Sequence, residues 1–324
     1  MAGRRTNLAL LAMLAGAFAS GGLAFAVGTG WNRWVTIAHG IVGVAVVVLT
    51  PWKALVIRSG LRRRTLWRAL PSLLLVMAVL VALLFGFVHA AGLRTLGPIT
   101  AMQLHVAAAL VALPLVIGHL VTHPQRPRRT DLSRRSVLRA GAVAGGAALA
   151  YGAGQTVAAD RRFTGSIETG TDRPAAMPVT QWLDDTVPSI DAERWMVAVA
   201  GRRWHYDELA GFDDNVRAVL DCTGGWWAEQ DWEGVRLDRL LGDTGSARSI
   251  VVRSATGYTR RFPVGDAEKL LLASRLAGAP LSAGHGHPAR LVAPGRRGFW
   301  WVKWVVAVEL SDRPWWWQSP FPLT

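Results

Sequence analysis

Four apolar runs fill most of the first 121 residues of a 324-residue chain, and each is long enough to cross a bilayer. Crossing the hydrocarbon core as a helix takes about 20 residues, because lipid offers no partner for an unsatisfied backbone N–H or C=O. The runs extend from Leu8 to Val27, Trp34 to Ile57, Leu70 to Ala90 and Pro98 to Val121. They predict an all-α transmembrane bundle with four helices over residues 1–123 and room for a fifth beyond them. Pro98 suits a helix start, and Pro114 predicts a kink whose freed carbonyl a neighbouring helix can satisfy.

The loops give an orientation. Lys53, Arg58, Arg62, Arg63, Arg64 and Arg68 separate the second and third runs, and Arg126, Arg128, Arg129, Arg134, Arg135 and Arg139 follow the fourth. The other two loops offer only Arg33 and Arg94. The positive-inside rule therefore places the N-terminus in the cytoplasm. The formal net charge of +14 belongs largely to these flanks. The second half has no basic stripe interleaved with aromatics, which argues against nucleic acid as a partner.

A basic segment follows, "LSRRSVLRAGAVAGGAALAYGAG", residues 132–154. It resembles a twin-arginine export signal, with Ser133, Arg134 and Arg135 ahead of Leu138 and Arg139. A fifth crossing here would place the remainder of the chain outside. The sequence leaves open whether this segment is retained as a fifth helix or cleaved, "TVAAD" being a poor cleavage site. The expected organisation is a transmembrane domain over 1–123, a basic loop with the signal-like segment over 124–158, and an exported domain over 159–324. That corresponds to a multi-pass protein of a bacterial cytoplasmic membrane with its catalytic domain on the outer face.

Polar side chains inside a membrane are costly and mark function. His39 and His105 fall at one depth in the second and fourth runs, an arrangement suited to bis-histidine haem ligation. His105 and His119 are 14 residues apart and so share a helix face. This spacing resembles the fourth helix of the four-helix b-type cytochrome subunits of formate dehydrogenase and nickel hydrogenase. His39 matches their second-helix ligand, whereas the first run contains no histidine to match their first. The expectation is one haem b held by His39 and His105, with His89 at the outer edge as the rival to His39. The alternative is that these imidazoles only hydrogen-bond the backbone and the helices are a simple anchor.

From Phe163 onward, short β-like runs alternate with turns: "RWMVAVAGRRWHY", "SIVVRSATGYTRRFPV", "ARLVAPG" and "WVKWVVAVEL". "YDELAGF" and "DAEKLLLASRLA" read as helical, so the domain is expected to be α+β with much sheet. A single cysteine, Cys222, excludes an intrachain disulfide, a Cys-rich zinc site and an iron–sulfur cluster. A buried small hydrophobe is its plainest reading.

The surroundings of Cys222 point further. "AVLDCTGGWWAEQDWEGVRLDRLL" (218–241) resembles the cysteine segment of the sulfite oxidase family of molybdenum enzymes, with Trp232, Gly234, Val235, Leu237, Leu240 and Leu241 in place. "HGHPARLVAPGRRGFWWVKWVVAVEL" (285–310) resembles the second signature of that family. The resemblance covers about residues 161–318. It implies a molybdenum–molybdopterin cofactor with Cys222 as the protein thiolate on the metal and as the catalytic residue, a soft ligand suited to this metal. It also implies His285, Arg290 and Lys303 on the phosphate and pterin, Val302 in backbone contact, and further cofactor contacts from Ser254, Thr164 and Gly165. Arg296 and Arg297 either line an anionic substrate pocket or sit on an exposed turn. The chain runs only 14 residues past Leu310, short of the immunoglobulin-like domain of animal and plant sulfite oxidases, which suits the bacterial periplasmic, methionine sulfoxide reductase-like branch.

The function so implied is oxygen-atom transfer outside the membrane, with electrons exchanged with the quinone pool through haem b. Reduction of an S-oxide or N-oxide is the favoured direction. The alternatives are sulfite dehydrogenase-type oxidation of an oxyanion, or a non-catalytic electron carrier or binding module on a simple membrane anchor.

Overall fold

The computed structural model describes residues 2–319 apart from 62–65, 94, 98, 125–127, 129–130, 132, 157–159 and 182–184. Pro98, Arg94, Arg62, Arg63, Arg64, Arg126, Arg129 and the centre of "TVAAD" lie outside the described residues. The chain divides into two compact units, one of residues 1–25 and 30–167, the other of residues 26–29 and 168–324.

The first unit is helical: α1 (Ala2–Ala26), α2 (Asn32–Leu61), α3 (Leu66–Ala90), α4 (Ala101–Thr122) and α5 (Arg134–Gln155). Two short strands, β1 (Thr95–Leu96) and β2 (Ile99–Thr100), form a hairpin between α3 and α4. Among the described residues, four stretches are long and apolar enough to cross a membrane: Gly3–Ala26, Asn32–Arg58, Ala69–Ala90 and Ala101–Thr122. Large apolar side chains such as Leu84 and Leu110 point outward, the expected inversion for helices solvated by lipid.

The fourth helix does not begin at Pro98. Thr100 is its N-cap, its hydroxyl accepting from the Gln103 amide at 3.0 Å while Gln103 Oε1 accepts from the Thr100 amide at 2.8 Å. This reciprocal box satisfies two otherwise orphaned donors. The signal-like segment is the helix α5, capped by Ser133, whose hydroxyl accepts from the Ser136 amide. It packs on α2, with Ala147 fully buried and the Tyr151 ring against Gly40, where no side chain would fit. Its Gly- and Ala-rich sequence keeps it out of the four candidate spans.

The second unit is built on two sheets. The first contains β3 (Ile167–Glu168), β6 (Asp214–Cys222), β7 (Trp226–Arg236), β10 (Leu271–Leu276), β11 (Ala279–Pro280) and β12 (Arg290–Val292). Its order is β11-β10-β7-β3, with β12 also on β10 and β6 also on β7. The second sheet is ordered β5-β4-β13-β8-β9, from β4 (Met196–Val199), β5 (Arg202–His205), β8 (Ser249–Ser254), β9 (Thr259–Pro263) and β13 (Val305–Ser311). Its β4–β13 pairing is parallel. Two short helices, α6 (Tyr206–Ala210) and α7 (Leu237–Leu241), complete the α+β unit.

Alternation explains the long β6–β7 hairpin. In β7, Trp226, Ala228, Gln230 and Trp232 are buried while Trp227, Glu229 and Asp231 are partly exposed, the two-residue period of a half-buried strand. "DAEKLLLASRLA" departs from its helical expectation. Only Val264–Lys269 turns, as 3-10 helix, and Leu271–Leu276 is a central strand between β7 and β12. Leu and Ala favour helices, but Leu271, Leu272, Ala273 and Leu276 are all buried, and burial against neighbouring strands overrides that local preference.

Candidate active site

Cys222 is the last residue of β6, paired with Trp226 across the turn of the hairpin. The turn "TGG" closes with the Gly225 amide donating to the Cys222 carbonyl at 3.1 Å, and Gly225 has φ +88, a conformation open to glycine. The sulfur is thereby presented at a strand end beside a small cavity. Gly298 abuts the same strand end; a Cβ there would lie 3.0 Å from Cys222 Cα.

Three other predicted residues line this cavity: His285, Arg290 and Lys303. Arg290 opens β12 opposite Ala273 of β10, which carries its guanidinium into the interior. It is 1% exposed, donates from Nη1 to the His285 carbonyl at 3.0 Å, and lies 5.0 Å from the Trp232 ring. Lys303 Nζ donates to the carbonyls of Thr180 (2.7 Å) and Gly284 (2.6 Å). His285 sits in a 3-10 turn capped by Ser282; its Nδ1 is 2.8 Å from Ser282 Oγ and its Nε2 is 3.2 Å from the Met177 carbonyl. Gly286, at φ +110, lets these chains converge: a Cβ would lie 2.9 Å from Arg290 Cβ and 3.3 Å from Lys303 Cβ.

The electrostatics are one-sided. Burial, with Arg290 beside it, lowers Lys303 to about 7, and burial followed by the charges of Arg290 and Lys303 lowers His285 to about 4. Burial lowers Arg290 as well, and the Cys222 thiol opposes that shift. His285 is therefore neutral at pH 7, with Nε2–H donating to Met177 and Nδ1 accepting from Ser282. No carboxylate lines the cavity among the described residues. Arg290 Nε and Trp226 Nε1 are buried without a hydrogen-bond partner, an arrangement that costs free energy until a ligand supplies acceptors. A buried arginine, a half-buried lysine, orphaned donors and one thiol fit an anionic, phosphate-bearing cofactor with a soft metal.

The remaining predicted residues lie elsewhere. Ser254, at the end of β8, is buried and 3.1 Å from Thr256 Oγ1, whose hydroxyl donates to Asp185. Val302 is fully buried, and its carbonyl accepts from the Leu291 amide at 2.7 Å. Neither lines the cavity. Arg296 pairs with Asp266 at 2.8 Å and lies over the Trp300 ring. Arg297 is 4% exposed and pairs with Asp221, the residue before Cys222, at 2.5 Å. Both charges are thus taken up by carboxylates, and neither side chain is in the cavity wall. Arg297 is not on an exposed turn, because its guanidinium ties the Cys222 strand end to the segment after Pro294. Thr164 and Gly165 belong to the first unit, where the Gly165 carbonyl accepts from His89 Nε2 at 2.9 Å. Thr180 escaped the sequence reading: its hydroxyl is 3.3 Å from Cys222 Sγ. No motif marks it, since its proximity arises only when the loop before β4 folds over the hairpin tip.

In the first unit, the His39 and His105 rings approach to 5.8 Å between centroids, edge to face. His39 Nδ1 is 3.1 Å from the Ala17 carbonyl and from Ser20 Oγ, and His105 Nδ1 is 2.7 Å from the Ala82 carbonyl. Both Nδ1 atoms are thus engaged in hydrogen bonds. Gly21 and Gly86 make room, since a Cβ would come within 3.0 Å of His39 and 3.1 Å of His105. His89 is committed to Gly165, and His119 stacks on His123.

Comparison with known proteins bears on the second unit. Residues 184–318 match the family model for an oxidoreductase molybdopterin binding domain. An uncharacterized oxidoreductase, YuiH, of Bacillus subtilis (strain 168) is 28% identical over 144 residues, 40% of this chain and 72% of that protein. A nitrate reductase (NADPH) of Mycosarcoma maydis is 36% identical over 78 residues, 21% of this chain but only 8% of that protein. Among solved structures, the sulfane dehydrogenase SoxCD from Paracoccus pantotrophus matches with a TM-score of 0.37 and 24% identity, over 39% of this chain and 40% of that one. The second unit thus contains a stretch that matches an oxidoreductase molybdopterin binding domain, and the Bacillus and Mycosarcoma relatives are both named as oxidoreductases or reductases.

Proposed function

We propose that this protein is a membrane-bound, molybdenum-dependent oxidoreductase that performs oxygen-atom transfer outside the cytoplasmic membrane and exchanges electrons with the quinone pool through haem b. Reduction of a small S-oxide or N-oxide is the favoured direction. The observation that carries the reading is the cavity beside Cys222, walled by the buried Arg290, the half-buried Lys303 and no described carboxylate.

Each residue has a task in this reading. Cys222 supplies the protein sulfur to molybdenum. Arg290 and Lys303 neutralise the phosphate and the anionic groups of the pterin, and loading would raise both of their depressed pKa values. Neutral His285 accepts from Ser282 and fixes the turn from which the Gly284 and His285 carbonyls hold Lys303 and Arg290. The Asp221–Arg297 pair holds the strand end that bears the thiol. When bound, molybdenum supplies the two-electron oxygen-atom chemistry; the protein positions it and excludes water.

The four apolar helices make the protein multi-pass. The distribution of loop arginines supports a cytoplasmic N-terminus and an outer catalytic domain. His39 and His105 are the proposed haem ligands, supported by their facing rings and their carbonyl-bound Nδ1 atoms. The test is molybdenum and haem content of detergent-purified wild type and Cys222→Ala, with optical redox titration. Molybdenum near one per wild-type chain, lost in the variant, together with a reducible b-type spectrum, is expected. Molybdenum without haem would reduce the first unit to an anchor, and matured wild type without molybdenum would overturn the assignment of Cys222.

A further inference from the structure

The Gly224 amide and the Thr180 hydroxyl both lie within hydrogen-bonding reach of the Cys222 sulfur. The Gly224 amide donates to Sγ at 3.3 Å, and the Thr180 hydroxyl lies 3.3 Å from it on another side. The first contact is inherent in the hairpin turn. The second is not, because Thr180 is 42 residues away in sequence and belongs to a different segment. That segment is fixed independently of the hydroxyl: the Thr180 carbonyl accepts from Lys303 Nζ, and Pro178 and Thr180 both line the cavity. The threonine side chain is thus held against the thiol by backbone contacts that its own substitution would leave in place.

We propose that Thr180 is a positioning residue that sets the reduction potential of the bound metal by donating a hydrogen bond to the Cys222 sulfur. The inference rests on the reading of Cys222 as a molybdenum ligand. A hydroxyl donating to a thiolate draws electron density from sulfur and weakens its donation to the metal. The reduced metal, which carries less positive charge, is thereby favoured. The Gly224 amide acts in the same sense.

The experiment is potentiometric titration of the Mo(VI)/Mo(V) couple by electron paramagnetic resonance, on full-length wild type, Thr180→Val and Thr180→Ser, with molybdenum content measured on each. Valine keeps the shape and removes the donor; serine keeps the donor. The expected result is a lower potential in Thr180→Val, about a tenfold loss in the reduced-to-oxidised ratio at fixed poise, equivalent to about 59 mV for a one-electron couple. Thr180→Ser should return to the wild-type value. An unchanged potential in a valine variant with full molybdenum content overturns the role of Thr180 and leaves the ligand assignment standing. A shift of equal size in serine and valine also overturns it, because packing rather than the hydroxyl would then be responsible. Should valine prevent maturation, Thr180→Ala is titrated against serine with the same expectations. Wild type that contains no molybdenum overturns the underlying reading instead.

Discussion

At the scale of single residues, the second unit keeps charge where a soluble core would not. Arg290 is almost fully buried, donates to one carbonyl, and leaves Nε without an acceptor. Replacing an uncompensated buried charge by an apolar side chain of similar volume relieves desolvation. Arg290→Met is therefore expected to raise the thermal midpoint of cofactor-free protein while lowering cofactor retention, as measured by differential scanning calorimetry and molybdenum analysis. An apo-protein destabilised by that change would show that the Trp232 contact and the carbonyl bond outweigh desolvation. His285 gives a pH signature. Its native pKa, about 4, lies below the ordinary value of 6.5, so between these pH values the unfolded chain binds the extra proton. Stability from this residue is present above about pH 6.5 and is lost as pH falls towards 4. In His285→Gln the apo-protein should lose that part of its acid sensitivity, read as a flatter dependence of the urea midpoint on pH between 6.5 and 4.

At the scale of elements, the site depends on where three strands end. β6 presents Cys222, β12 begins with Arg290, and Lys303 precedes β13. The Asp221–Arg297 pair locks the first of these ends, with both side chains about 95% buried. Breaking such a pair leaves one charge stranded, at a cost of about 3–5 kcal/mol. Arg297→Met should lower the unfolding free energy by that order, and Asp221→Asn combined with it should recover part of the loss, in equilibrium unfolding of the purified chain. β10 carries the sheet beneath the site. Leu272 is 1% exposed, and Leu272→Ala is expected to cost about 2–5 kcal/mol in the same measurement. The helical expectation for this stretch failed because the short apolar run Leu270–Ala273 has no period to separate a buried strand from a buried helix. The hairpin β6–β7 was not among the strands read from sequence, although the alternation of Trp226–Trp232 and the glycines of its turn mark it.

At the scale of the molecule, two compact units carry two separable sets of candidate ligands, His39 with His105 and Cys222 with its cavity. His39→Ala and His105→Ala should each abolish a b-type optical spectrum and leave molybdenum content near wild type, whereas Cys222→Ala should do the reverse. Loss of both groups in every variant would mean that the units do not mature independently. The amino-acid sequence alone determined the four apolar helices, the sheet-rich second half and the candidacy of Cys222, His285, Arg290 and Lys303, because hydrophobic length, strand alternation and local motifs are written in consecutive residues. Tertiary structure decided the rest: that Arg296 and Arg297 are spent on Asp266 and Asp221, that β10 is a strand, and that Thr180 touches the thiol. Those outcomes depend on which side chains meet across tens of residues, and such pairings are set by packing and charge compensation between segments rather than by any pattern within one.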